Sequence, residues 1–336
     1  MPTRIGNYTI KLDTQPSILG SAAVVGKKEG EGPLAEEFDE VLSDGTMGED
    51  SWEKAESAFQ KRAITKAIEK TGLTAADVKL LFAGDLLSQC SGSSFGAREL
   101  GIPFVGLYGA CSTMALSLAM AALSVDSGLA DVVAASTSSH FCSAEKQFRT
   151  PLEYGGQRPP TAQWTATAAG SAIVGKSQNG PHIEAVTIGK ITDFGVKDAN
   201  NMGAAMAPAA CATISSFLKD TGTQPEDYDM ILTGDLGAVG TTLLKELMQK
   251  QEHIDIAGVH ADCGLMLYHL DEQDVNAGAS GCGCSAAVLC SNIFRRMRAG
   301  ELRKVLFVGT GALLSSLSPL QGETIPSIAH AVLLSN

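Results

Sequence analysis

The chain has 336 residues, 44% of them apolar but only 5% aromatic, with 36 glycines and a net charge of −12. That length allows two ordinary domains, or one large domain with an internal duplication, around a core of Ala, Val, Ile and Leu. The acidic excess excludes nucleic acid as a partner, because nothing offsets phosphate repulsion, and it gives no attraction to an anionic membrane surface.

Residues 1–12 carry no basic and apolar leader, and no stretch approaches the length of an apolar membrane span. Folding in a cytosol-like compartment is expected. Residues 20–48, rich in glycine and acid, read as a surface loop with a ligand-gating role. Asp50-Ser51-Trp52-Glu53 then reads as a capping box that opens a helix over 54–70, closed by Gly72.

Residues 71–86 reappear as residues 221–236 without a gap, with Thr, Gly, Asp and a terminal Gly-Asp-Leu in common. Each copy reads as a glycine-ended helix, a short helical turn and a strand whose end carries an acid, Asp85 or Asp235. A second pair follows: residues 109–137 and 281–310 both read as turn, small-residue helix, glycine and strand. These spacings suit two βαβ-type halves, residues 1–175 and 176–336, related by a pseudo-twofold axis. The first half is interrupted at about 138–164 by a polar segment with two prolines, read as a cap or subunit-contact loop.

Within the first half, a short apolar strand leads into Gly109-Ala110-Cys111-Ser112-Thr113 and a small-residue helix. A turn of this kind places a side chain at the positive end of a helix dipole, which favours thiolate over thiol. Cys111 is therefore a candidate nucleophile. The other cysteines (Cys90, Cys142, Cys211, Cys263, Cys282, Cys284 and Cys290) follow no disulfide or zinc spacing, and Cys282-x-Cys284 lacks the second pair a structural zinc site requires.

The duplicated halves and the strand-turn-Cys111-helix unit resemble the thiolase-like superfamily of thiolases and β-ketoacyl synthases. Residues 16–26, 50–56 and 106–114 resemble more closely its branch of stage V sporulation proteins from spore-forming bacteria. The resemblance runs along essentially the whole chain. It implies an α/β fold of five layers, α-β-α-β-α, with a pocket between the halves. It also implies non-enzymatic binding of dipicolinate (pyridine-2,6-dicarboxylate), free or as its calcium chelate, for uptake into the developing spore and release at germination. No cofactor is implied beyond that optional calcium. The implied partners are dipicolinate, membrane proteins of the stage V sporulation A operon that hold the chain at the inner spore membrane, and a second copy in a homodimer.

A working synthase of this superfamily pairs its cysteine with a histidine and a second histidine or asparagine. Here the first of those positions reads Gly234-Asp235-Leu236 and the second reads Ser280-Gly281-Cys282. An anion at Asp235 repels a developing oxyanion and raises the pKa of a nearby thiol, and a Cys282 thiol is a poor hydrogen-bond donor. His260 and His269 lie between those motifs and His140 in the inserted segment, all more in keeping with surface or satisfied histidines than catalytic ones; His182, His253 and His330 carry no motif context. The expectation is a scaffold without a catalytic pair, the alternative being an active acyl- or ketoacyl-transferase that uses Cys111. Expected ligand contacts are Cys111, Asp85, Asp235 and Cys282, with Gly309 and Gly311 on the late glycine-rich strand end. Gln163, Trp164 and His140 would join them from the inserted segment.

Overall fold

The computed structural model describes residues 1–148 and 158–336. The first half runs β1 (Thr3–Ile5), β2 (Thr9–Lys11), β3 (Ser17–Gly26), β4 (Glu40–Leu42), α1 (Trp52–Glu69), β5 (Leu80–Gly84), α2 (Ser91–Arg98), β6 (Phe104–Gly106), α3 (Thr113–Asp126), β7 (Val132–Ser139), α4 (Phe141–Phe148), β8 (Trp164–Thr165) and β9 (Ala168–Gly175). The second half runs β10 (His182–Thr187), α5 (Met202–Thr221), β11 (Met230–Thr233), α6 (Gly237–Leu247), β12 (His260–Asp262), α7 (Cys263–Met266), β13 (Ala279–Ser280), α8 (Cys282–Val288), α9 (Phe294–Arg298), β14 (Lys304–Ala312) and β15 (Ser327–Ser335). A π-turn at Leu289–Ile293 joins α8 to α9.

The hydrogen-bonded strand order is β12-β11-β14-β15-β10-β3-β9-β7-β5-β6. It consists of two like sets of five strands, since β6-β5-β7-β9-β3 matches β12-β11-β14-β15-β10 term by term. A single residue pair, Ser17 opposite His182, joins the two sets. Helix α1 packs on β3, β7 and β9, α5 packs on β14 and β15, and α3 and α8 meet between the sets. That is the five-layered α-β-α-β-α arrangement. Helix α8 is nearly all small residues because the layers are close: a Cβ on Gly170 would lie 2.5 Å from the Ala286 backbone.

Local chemistry repeats along with the topology. Thr74 and Asp77 form a reciprocal cap on a short 3₁₀ turn, and Gln224 and Asp227 form the same cap in the second copy. Ser51 caps α1 by accepting the Lys54 N–H, and α5 ends at Gly222 with φ +69°. Helix α1 starts two residues earlier than the sequence suggests.

Residues 20–48 are not a single loop. Ser17–Gly26 is a buried interior strand, and the sequence is misleading because its glycines serve close approach rather than turning. A Cβ on Gly20 would lie 2.8 Å from the Ala67 carbonyl of α1. The segment at 138–164 is also divided: Ser138 and Ser139 complete β7, residues 141–148 form α4, and Trp164–Thr165 pairs with β13. The remainder of that expected cap, residues 149–157, lies outside the described residues.

Candidate functional site

Cys111 sits between β6 and α3, where Ala110 takes a left-handed conformation at φ +49°. A non-glycine residue in that region is uncommon and marks a constrained backbone. The strand end of β14 fixes the turn from behind. A Cβ on Gly311 would lie 2.2 Å from the Gly109 carbonyl, and one on Gly309 would lie 2.9 Å from the Ser112 carbonyl. Gly309 and Gly311 thus admit the Cys111 turn by close packing, a role that needs no contact with a ligand.

The Asp235 carboxylate lies close enough to the Cys111 thiol for its charge to act on it. It also accepts from Thr310 Oγ1 at 2.9 Å, from the Gly281 N–H at 2.8 Å and from Ser280 Oγ at 3.2 Å. Ser280 Oγ lies 4.0 Å from Cys111 Sγ. Burial pushes Asp235 up to about 6, with the nearby Cys111 thiol and the hydrogen bond from Gly281 opposing it. Burial and then the Asp235 charge hold the Cys111 thiol well above its ordinary pKa. Both oppose the thiolate that the helix terminus favours. Desolvation and an adjacent carboxylate outweigh the helix dipole.

Cys111 opens on a cleft of about 40 Å³. Gln163, Thr165 and Ser280 line it beside the thiol, and Tyr108, Phe148 and Leu314 stand where it meets a shallower outer hollow. The cleft is narrow, with room for little more than water until its walls move. Cys282 packs beside Cys111 with Leu86 and Ala144 and donates to the Ser138 carbonyl at 3.0 Å. Gln163 donates to the Asp235 and Ala279 carbonyls at 2.8 and 2.7 Å, leaving its buried Oε1 without a partner.

Three expected contacts lie elsewhere. Asp85 turns back on its own loop, accepting from the Leu87 N–H at 2.8 Å and from the Ser93 N–H and hydroxyl at 2.7 and 2.6 Å. It forms a buried pair with Glu56, and burial followed by the Asp85 charge pushes Glu56 up to about 8. Trp164 stacks on Phe141, with ring centres 3.9 Å apart, so its neighbour is already an aromatic ring. His140 is buried, and its Nε2 lies 2.9 Å from the Gly45 carbonyl. Among the described residues no histidine lines the cleft. His330 stands behind the turn with its Nδ1 accepting the Gly189 N–H, and burial lowers it to about 4. No group of three His, Cys, Asp or Glu among the described residues is arranged to hold a metal ion.

Sequence reasoning missed Ser280, Thr310, Tyr108 and Thr165. Ser280 and Thr310 were legible as neighbours of the two glycine motifs; Tyr108 and Thr165 had no distinguishing signal.

This geometry places a cysteine turn between two duplicated halves, the fold of the thiolase-like synthases. An Aquifex aeolicus 3-oxoacyl-[acyl-carrier-protein] synthase III superposes with a TM-score of 0.58 at 12% identity, over 96% of this chain and all of that one. A Xanthomonas campestris OleA variant superposes with a TM-score of 0.62 at 14% identity, over 97% and 99% of the two chains. Within that fold the sequence is far more specific. The model of the family "Stage V sporulation protein AD" matches residues 6–335. The stage V sporulation protein AD of Bacillus subtilis (strain 168) is 45% identical over 313 residues, 93% of this chain and 91% of that one. The chain belongs to the stage V sporulation protein AD family.

Proposed function

We propose that this chain binds dipicolinate, free or as its calcium chelate, in the Cys111 cleft and does no chemistry on it. The observation that carries the reading is the buried Asp235 carboxylate beside Cys111, where an acyl-transfer site requires an imidazole or another donor. A nucleophilic thiol needs a group that takes its proton and a donor for the oxyanion. Asp235 instead accepts from Thr310, Gly281 and Ser280, and its charge adds to burial in raising the thiol pKa. Membership in a sporulation family supports a ligand handled while spores form and germinate. Hydroxyls of Tyr108, Thr165 and Ser280 line the cleft and suit a carboxylate or a ring nitrogen. The narrow bore makes Phe148 and Leu314 the side chains that give way to a planar ring.

Membrane attachment and dimerisation belong to the same proposal. No helix among the described residues is long and apolar enough to cross a membrane, so operon-encoded membrane proteins would hold the chain at the inner spore membrane. The edge strand β6 and its continuation leave Val105 and Tyr108 39% and 46% exposed, which supports a homodimer through that edge.

Isothermal titration with dipicolinate, with and without calcium, tests the binding. Saturable heat is expected, and the absence of heat at millimolar ligand overturns it. Incubation with acyl-CoA followed by intact mass tests the alternative. No adduct is expected; an adduct lost in Cys111→Ser would establish an acyl-transferase.

A further inference from the structure

An anionic guest needs a cation, and the described residues lining the cleft include none. The one charged residue among them is Glu145, on α4. Its Oε1 lies 3.1 Å from an Nη of Arg158, and the two side chains are only 16% and 15% exposed. The Arg158 guanidinium carbon lies 4.3 Å from the centre of the Trp164 ring and 4.8 Å from that of Phe141. Those two rings are stacked on each other, so they form a rigid support for the guanidinium. Arg158 is thus a largely desolvated and pre-oriented cation, one contact away from the cleft. The carboxylate it holds is itself part of the cleft wall.

A guest carboxylate approaching Glu145 meets a like charge at short range. The same guest at Arg158 gains a charge-assisted hydrogen bond in the planar geometry guanidinium favours. We propose that Arg158 is the carboxylate-recognising cation of this cleft and that Glu145 is its internal competitor, exchanged for a carboxylate of the guest. The inference rests on the reading that the cleft binds dipicolinate.

The test is titration of dipicolinate without calcium into wild type, Arg158→Gln, Glu145→Gln and the double variant. Arg158→Gln should bind about tenfold more weakly, the loss of one charge-assisted bond. Glu145→Gln should bind about threefold to tenfold more tightly, and the double variant should bind more weakly than Glu145→Gln, because the freed guanidinium is lost with Arg158. A purely structural ion pair would weaken binding in both single variants. Where Arg158→Gln does not fold, Arg158→Lys carries the test, since it keeps the charge but loses the fork, and affinity reduced several-fold is expected. Wild-type binding with unchanged affinity in the Arg158 variants, or a double variant that binds as tightly as Glu145→Gln, overturns this inference alone. An absence of wild-type heat overturns the binding reading and this inference with it.

Discussion

The two Gly-Asp-Leu strand ends begin as the same motif and finish in different chemistry. In the second half, Asp262 at the end of β12 accepts the Leu236 and Gly237 N–H groups at 2.9 Å each and the Thr233 hydroxyl at 2.6 Å. Asp235 is thereby released from capping its own loop and turns to Cys111. In the first half the register is the same, with Ala83 opposite Gly106 as Thr233 is opposite Asp262. Gly106 has no side chain to offer. Asp85 must therefore bond the loop itself, and it ends up sealed beside Glu56. One residue on a neighbouring strand decides which acid reaches the site.

That division of labour can be broken directly. Asp262→Ala strands two buried N–H groups and a hydroxyl, and should cost about 3 kcal/mol in chemical denaturation. Asp85→Ala strands comparable donors but relieves the repulsion with Glu56, so a smaller loss of about 1–2 kcal/mol is expected. Equal losses would remove the distinction between the two acids.

The pH dependence sharpens it. Glu56 at about 8, Asp262 at about 7 and Asp235 at about 6 are all raised by burial. Between an ordinary carboxyl value and these, the folded state holds protons that the unfolded state has released. Stability is therefore fullest near pH 4–5 and falls as pH rises toward 8, by at most about 1.4 kcal/mol per pH unit for each group. Glu56→Gln should flatten this fall, as read from denaturation midpoints at pH 5 and pH 8. An unchanged slope would mean that Glu56 and Asp85 are not a buried pair.

A smaller effect concerns Cys111. Alkylation by iodoacetamide, followed by peptide mass, should leave it unlabelled at neutral pH while the half-buried Cys142 reacts. Asp235→Asn removes the adjacent charge and should accelerate Cys111 labelling by about tenfold, one pKa unit of thiol. Smallest of all, Asp77→Ala and Asp227→Ala remove equivalent exposed caps. Each should lower the denaturation midpoint slightly, and the two losses should agree, because here the repeat has kept its chemistry.

The two related halves were readable from the duplication, because repeated helix, turn and strand signals are local and survive in both copies; the five layers followed from the family resemblance. Cys111 was readable for the same reason, since a strand-turn-helix is written in consecutive residues. The state of its thiol was readable only in part. The resemblance put Asp235 beside Cys111 as an anion that raises the thiol, whereas the larger effect, burial, comes from the whole core and is not written in the residues around Cys111. Asp85 misled for a related reason: its neighbour Gly106 is adjacent only in the sheet. Trp164 suggested a ring contact and His140 a ligand contact by type alone, and their partners, Phe141 and Gly45, are set by the packing of α4 and the loop before α1. Arg158 and Glu145 carried no motif, and only the folded chain brings them to the cleft.

The central claim is that the Cys111–Asp235 cleft is a binding site, and a crystal structure of the protein with dipicolinate tests it most directly. The account predicts the pyridine ring between Tyr108, Phe148 and Leu314, with Cys111 unmodified beneath it. Dipicolinate bound elsewhere, such as in the groove between α1 and α2, with this cleft still closed, would contradict it.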